Sequence, residues 1–524
     1  MRKPESVAGF PGALFTVGVL VLVVAAGCAR APALSPAVSG HWPTARWDTA
    51  SPESQGIDSS VLIDLLAFAA RKDFGVHDIL IVRHGVIVFD AVFYPYDGES
   101  PHDVASVTKS VTTTLLGAAI HSGKLDRLDR SIAALLHRKR PSMNRVKREI
   151  TLEHLASMRS GLACGLSPPG EPELIAMMQS PDWVDFTLDL PMSCTPGRRF
   201  AYCSPGMHLL SAAITEPTGE SEADFAATTI FAPMGIVDWD WPSDPAGLSH
   251  GWGDLRLHPR DMAKVGLLML HDGVWDGRRL LPAGWATTAA QSRGPTSAGG
   301  DGYGLGWWVP SRDLHGAFEA RGRGGQRIVI WPELDLVVVT TGAGFEPGLF
   351  VPFLSNAIRG GKALPENEAL FGQLEDALAA ARSEPKAVPA ALPELAGRVS
   401  GRTYEMDANP LGFERVGFDF QAAEPTLSLK LSDAMGSGAA GWFRFMLGFD
   451  GRYRITPAGP RGYAVAIRAA WRGPSRLDID YVESYGPNAF VFSVEFEDDR
   501  MRLSIRDQTG LYGEHLIVGR VRRK

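Results

Sequence analysis

The chain is short of the features that carry several common functions. Its 524 residues hold four cysteines: Cys28 closes an apolar leader, and Cys164, Cys194 and Cys203 lack zinc-site spacing. No His-x-x-x-His pair with a third ligand is present, so neither a metal nor another cofactor is expected. No long basic run is interleaved with aromatics and the formal charge is −7, which argues against a nucleic-acid partner. Beyond the leader, no segment supplies the ~20 apolar residues that a second membrane span needs. No internal repeat is evident.

What is present describes a globular protein. A composition of 45% hydrophobic and 21% charged residues gives ample core, enough for more than one domain. Arg2 and Lys3 precede an almost wholly apolar stretch over residues 10–26, which ends in Ala25-Ala26-Gly27-Cys28. This leader resembles a bacterial lipoprotein signal, in which Cys28 would be lipidated and would hold the protein on the membrane in the cell envelope. Ala25 stands where that pattern prefers Leu. A plain cleaved signal and an uncleaved anchor are the other readings, and all three export the rest of the chain. Residues 29–45, rich in Ala, Pro and Ser, suit a tether. In an oxidising compartment the three remaining cysteines suggest one disulfide and one spare thiol. Cys164 and Cys203, each beside a motif described below, are the expected pair, with other pairings open.

From residue 46 to 361 helical and strand patterns mix. Residues 79–82 and 86–92 flank Arg83-His84-Gly85 and read as a hairpin, as do 328–331 and 334–341 around Pro332-Glu333. Between them lie helical patterns at 106–122, 151–158, 206–216, 222–231 and 259–271. Strands at both ends with helices between predict an α+β arrangement, one antiparallel sheet carrying an inserted helical subdomain, with the active site between the two. Residues 362–393 read as a linker with a short helix at 367–382. Residues 394–524 hold short alternating runs at 426–431, 442–449, 452–456, 463–471, 476–483, 489–496 and 500–507. They predict a separate all-β sandwich or barrel.

Ser106 and Lys109 in Ser106-Val107-Thr108-Lys109-Ser110 sit three residues apart at the start of an apolar helix. That spacing sets a hydroxyl and an amine on one face of the first turn, where the amine can take the hydroxyl proton. The spacing alone is weak. Ser383-Glu384-Pro385-Lys386 repeats it in the linker, and a plain helix-capping serine competes at Ser106. Two further stretches change the balance. Tyr202-Cys203-Ser204 places a tyrosine at a turn, and Arg323-Gly324-Gly325-Gln326 places glycines before a strand. Glycines there would let a substrate approach the backbone and leave an N–H for an oxyanion.

In this order the three stretches resemble the Ser-x-x-Lys, Tyr-x-Asn and Lys-Thr-Gly or His-x-Gly motifs of the serine β-lactamase and penicillin-binding-protein superfamily. The likeness is greatest to its class C-like esterase and amidase branch. Accessory stretches 150–155, 160–162, 230–235, 258–263 and 303–308 extend the likeness over about residues 50–360. The resemblance implies a β-lactamase/transpeptidase-like fold and a C-terminal lipocalin-like barrel. It also implies Ser106 as nucleophile, Lys109 and Tyr202 (as phenolate or phenol) as proton carriers, and the N–H groups of Ser106 and Gln326 as the oxyanion hole. Ser204, Arg323, Gly324 and Gly325 would contact a small ester, amide or peptide substrate. Ser204 in place of Asn and Arg323 in place of Lys or His argue against an efficient antibiotic-degrading enzyme, while Arg323 suits a substrate carboxylate. A catalytically impaired penicillin-binding-like sensor and a D,D-peptidase or β-lactamase are the alternatives. Gly247-Leu248-Ser249-His250-Gly251 matches the α/β-hydrolase elbow but lacks its preceding apolar strand and following helix.

Overall fold

A two-residue turn at His84 and Gly85, both with positive φ (50° and 80°), folds strands β1 (Val76–Arg83) and β2 (Val86–Val92) into the expected hairpin. The computed structural model describes residues 42–522, apart from 72–74, 137–138, 140–142, 167–169, 298–299, 313, 434–439 and 511. The leader with Cys28, and the tether as far as residue 41, lie outside the described residues. Among the described residues no helix is long and apolar enough to cross a membrane.

The chain returns to this sheet through β3 (Gly302–Tyr303), β4 (Trp308–Val309), β5 (Phe318–Gly322), β6 (Gln326–Trp331) and β7 (Leu336–Gly342). The strand order is β2-β1-β7-β6-β5-β4-β3, every pair antiparallel. Central strands are apolar on both faces because both are covered. Leu80, Val82, Ile328, Ile330, Val337 and Val339 join one core, while Ile79, Ile81, Val329, Leu336 and Val338 alternate into a second.

Helix α1 (Ser59–Ala69) covers the second face. The first carries the inserted helices, chiefly α2 (Val107–His121), α3 (Ser204–Thr218) and α4 (Pro259–Leu270). Helix α2 is buried over all of Val107–Ala119, so its hydroxyls bond inward: Ser110 donates to Gly306 O at 2.6 Å and Thr112 to Gly251 O at 3.0 Å. The segment expected as a linker contains α5 (Glu368–Arg382), capped by Asn367 as its position predicts. It packs on α1 and β2 and buries Leu374 in the second core, so it belongs to the sheet layer and is no free tether.

The remaining strands are β8 (Thr403–Met406), β9 (Phe413–Asp419), β10 (Thr426–Leu431), β11 (Gly441–Met446), β12 (Arg454–Thr456), β13 (Val465–Trp471), β14 (Arg476–Glu483), β15 (Ala489–Glu497), β16 (Arg500–Asp507) and β17 (Glu514–Val521). They pair antiparallel in the order β11-β10-β9-β8-β17-β16-β15-β14-β13-β12. First and last strands are neighbours, and a Gly448–Arg468 bridge nearly closes the remaining gap. Residues alternate inward, as in Leu477, Ile479, Tyr481 and Glu483 or Met501, Leu503, Ile505 and Asp507, so each series runs from an apolar interior to a carboxylate at one end. The fold is thus β-lactamase-like, with a C-terminal all-β near-closed barrel.

Candidate active site

Ser106 is reached through a strained turn. Ala105 adopts φ 47°, a region costly for a residue with a Cβ, and Asp103 holds it there by accepting the Ala105 N–H at 2.7 Å. The chain then enters α2 with Ser106 at the N-cap position, yet Ser106 makes no side-chain capping bond, which removes the capping-serine reading. Its half-buried hydroxyl instead meets Lys109 Nζ at 2.8 Å. Among the described residues the Ser106 amide has no hydrogen-bond partner. Lys109 is 1% exposed, and Nζ also donates to Trp252 O at 2.6 Å and lies 4.9 Å from the centroid of the Tyr202 ring. Burial pushes the Lys109 ammonium down to about 8, against the pull of the Glu171 and Asp254 carboxylates. A lysine poised there can hold or release a proton near neutral pH.

Tyr202 lies beside this pair, its ring stacked on Trp308 at 6.3 Å. Burial, with Glu171 and Tyr303 adding to it, pushes the phenol well above the ordinary tyrosine range, and only a hydrogen bond with Ser106 pulls the other way. Of the two expected forms, burial thus favours the phenol over the phenolate. The next residue, Cys203, is disulfide-bonded to Cys164, which ties the tyrosine turn to the loop before Glu171 and leaves Cys194 free.

The other expected site residues are tied into the packing around the site. Ser204 has no exposed surface, since it opens α3 inside the core, and so it presents no hydroxyl to a substrate. Gln326 is equally buried, and its side chain bonds Gly342 N at 3.1 Å, Gly342 O at 2.6 Å and Arg323 O at 3.0 Å, which fixes the strand start that carries the Gln326 N–H. Gly324 (φ 85°) and Gly325 (φ 107°) are required by packing. A Cβ on Gly325 would stand 2.3 Å from Phe345, and one on Gly324 would stand 2.9 Å from Pro487 O of the barrel. Arg323 does border the site, but its guanidinium donates to Asn488 Oδ1 and, at 3.1 Å, to Thr509 Oγ1, both on the barrel. The barrel thus engages one guanidinium nitrogen, Nη1, of the arginine expected to take a substrate carboxylate.

A cavity of about 580 Å³ opens at Ser106 and Ala105, borders Glu171, Trp252, Asp254 and Arg323, and continues into the barrel. Sequence reasoning missed Glu171, Tyr463 and the role of the Trp252 carbonyl. Glu171 faces Lys109 and Tyr202 electrostatically and accepts from Ser204 N at 3.4 Å. Trp252 O anchors Lys109, and Tyr463 of the barrel donates to Asp103 at 2.8 Å. Trp252 also lines the cavity, while Trp307 is buried in the core. The rival serines are structural. Ser249 is 1% exposed and accepts from Ala223 N at 3.0 Å, and Ser383 ends α5 by donating to Ala379 O at 2.6 Å. Among the described residues no cluster of His, Cys, Asp and Glu could hold a metal.

The Beta-lactamase family model matches residues 69–357, more than half of the chain and all three motif stretches. The chain belongs to this family. It is similar to the 6-aminohexanoate-dimer hydrolase of Paenarthrobacter ureafaciens, 28% identical over 158 residues that make up 28% of this chain and 40% of that protein. It is also similar to penicillin-binding protein 4 of Amycolatopsis lactamdurans, 26% identical over 226 residues, 37% of this chain and 57% of that one. The chain thus spans about half of the length of these relatives. Among solved structures, the octameric penicillin-binding protein homologue from Pyrococcus abyssi aligns with a TM-score of 0.47 at 16% identity, covering 88% of this chain and 99% of that one. Within the β-lactamase family, Ser106, Lys109 and Tyr202 occupy one site here, and the barrel closes over its third motif.

Proposed function

We propose that this β-lactamase-family chain is a serine hydrolase that cleaves ester or amide bonds through an acyl-enzyme on Ser106. The observation that carries the reading is the 2.8 Å contact between Ser106 Oγ and a buried Lys109 whose ammonium is pushed down to about 8. In the free-base form Lys109 Nζ accepts the serine proton as Ser106 Oγ bonds to the substrate carbonyl carbon. The proton passes to the departing alcohol or amine as its bond to the acyl carbon breaks. Water then gives up a proton to Lys109 as its oxygen bonds to the acyl carbon, and the bond from that carbon to Ser106 Oγ breaks as Lys109 returns the proton to Oγ, releasing the acid. Tyr202, a neutral phenol hydrogen-bonded to Ser106, steadies the hydroxyl and can relay that proton. The free Ser106 N–H is the oxyanion donor we assign, at the positive end of α2.

Ser204 buried and Arg323 engaged by the barrel both weigh against tight recognition of β-lactams or of peptides through a carboxylate. Export with lipidation at Cys28 is part of the proposal. It is supported by the leader and by the Cys164–Cys203 bond, which suits an oxidising compartment. The test compares the wild type with Ser106→Ala on p-nitrophenyl esters, nitrocefin, D-Ala-D-Ala peptides and linear amides. Ester or linear-amide turnover that vanishes in the variant supports the reading. An acyl adduct that forms and never clears would point to a binding or sensor protein instead.

A further inference from the structure

We propose that the inside of the C-terminal barrel is an acyl-chain pocket, so that the substrate is an ester or amide whose acyl group bears a long alkyl chain running from Ser106 into the barrel. The inference rests on the reading of Ser106 as nucleophile and names the substrate class of that site. Its first support is continuity: the 580 Å³ cavity that opens at Ser106 is walled further in by Leu411, Phe413, Leu429, Phe492 and Ile505 of the barrel. The opposite wall, Leu174, Ile175 and Met178 on the short helix Pro172–Met178, is apolar as well. That volume lies within the ~300–1,000 Å³ of small-molecule sites.

Its second support is the barrel itself. About eight strands give a lumen that side chains fill or that holds one small ligand. This barrel has ten; inward residues such as Phe418, Leu477, Phe496 and Leu503 pack into a core, and the cavity enters where Leu429, Phe492 and Ile505 line it. Its third support is charge. Several polar groups where barrel and catalytic domain meet are bonded to one another. Arg461 grips Glu483 through contacts of 2.9, 2.6 and 2.6 Å, Glu483 accepts from Asn488 Nδ2 at 2.7 Å, Asn488 Oδ1 accepts from Arg323, and Asp103 accepts from Tyr463. An apolar chain can pass this collar without breaking these contacts. The chain belongs on the acyl side because that part stays bound to Ser106 until water releases it. The leaving group has to depart first, and a segment lodged inside the barrel cannot do so quickly.

The test is a ladder of p-nitrophenyl esters from acetyl to tetradecanoyl on the whole protein, beside a ladder of acetate esters with lengthening alcohols, each with Ser106→Ala as blank. The expected result is kcat/KM rising by up to about fourfold per buried methylene along the acyl ladder, with the alcohol ladder flat. Leu429→Trp, which fills the lumen, should lower the decanoyl-to-butanoyl ratio of kcat/KM at least tenfold. A second filling variant, Ile505→Phe, should lower it as well. Ser106-dependent turnover that is flat or falls beyond butanoyl overturns the pocket and leaves the hydrolase reading standing. A rise on the alcohol ladder alone overturns the acyl assignment. If no ester is cleaved at any length and no amide of the panel is cleaved either, the hydrolase reading fails. The pocket is then decided by titrating the neutral apolar fluorophore N-phenyl-1-naphthylamine into Ser106→Ala: saturable binding lost on adding Leu429→Trp supports it, and no binding overturns it.

Discussion

Tyr463 on the barrel donates a 2.8 Å hydrogen bond to Asp103, and the other oxygen of that carboxylate holds the N–H of Ala105, the residue before the nucleophile. Asp103 N in turn donates to Tyr485 O, also on the barrel, at 2.8 Å. The positive-φ turn that presents Ser106 is therefore braced from a domain more than three hundred residues away in sequence. Tyr463→Phe deletes the donor and leaves the shape. A hydrogen bond to a carboxylate contributes about 1.5–3 kcal/mol, and we expect kcat to fall roughly tenfold or more with KM little changed. Steady-state kinetics beside a melting curve check this: a lowered melting temperature with normal kcat would make Tyr463 a structural tie only.

Lys109 sets the pH dependence. Burial holds its ammonium at about 8, below the ordinary lysine range, so the free base that can accept the Ser106 proton grows as pH rises. kcat/KM should climb about tenfold per pH unit below that point and level off above it. A profile flat from pH 6 to 9 would remove Lys109 as the base.

Stability should move the other way with pH. Asp78, buried between β1 and its neighbours and bonded by Thr341 Oγ1 at 2.5 Å, has its carboxyl pushed up to about 7 by burial, and Glu222 is pushed to about 7 by the same cause. Both stay protonated in the folded protein where the unfolded chain has already ionised. The stability this lends is complete below the ordinary carboxylate range and is lost as pH rises through about 7. The slope is at most about 1.4 kcal/mol per pH unit for each group. Urea midpoints should fall between pH 5 and 8, and Asp78→Asn should flatten that fall.

The Cys164–Cys203 bond closes a loop of sequence separation 39 and fixes the turn that bears Tyr202. Constraining an unfolded loop of this size contributes roughly 2–4 kcal/mol. Cys164→Ser should lower stability by that order in denaturant melts and reduce kcat as well. Unchanged turnover would show that the Tyr202 turn is held by its packing alone.

Much of the catalytic domain was legible because its signals are local. His84-Gly85 defined the first hairpin, and the apolar run after Ser106 defined α2. The short β3 and β4 carry two residues each and left no period to read. On the barrel, β9 and β17 were missed because Gly417 and Gly519 interrupt their alternation, and β8 because four residues give too little pattern. The linker reading failed at Leu374, whose burial depends on α1. In the site, Ser106, Lys109 and Tyr202 followed from motif order. Glu171, Tyr463 and Asn488 did not, since their roles exist only through long-range contacts. Arg323, Ser204, Gly324 and Gly325 were read as substrate-facing, and the docked barrel and the close packing behind β6 hold them in other contacts.

The account turns on Ser106 as the nucleophile, and covalent labelling tests that most directly. The wild type and Ser106→Ala are treated with a fluorophosphonate, weighed by intact-mass spectrometry and mapped by peptide. One adduct on the peptide carrying Ser106, absent from a folded Ser106→Ala protein, is the predicted result. An adduct that persists in Ser106→Ala, on Ser249 or elsewhere, would contradict it.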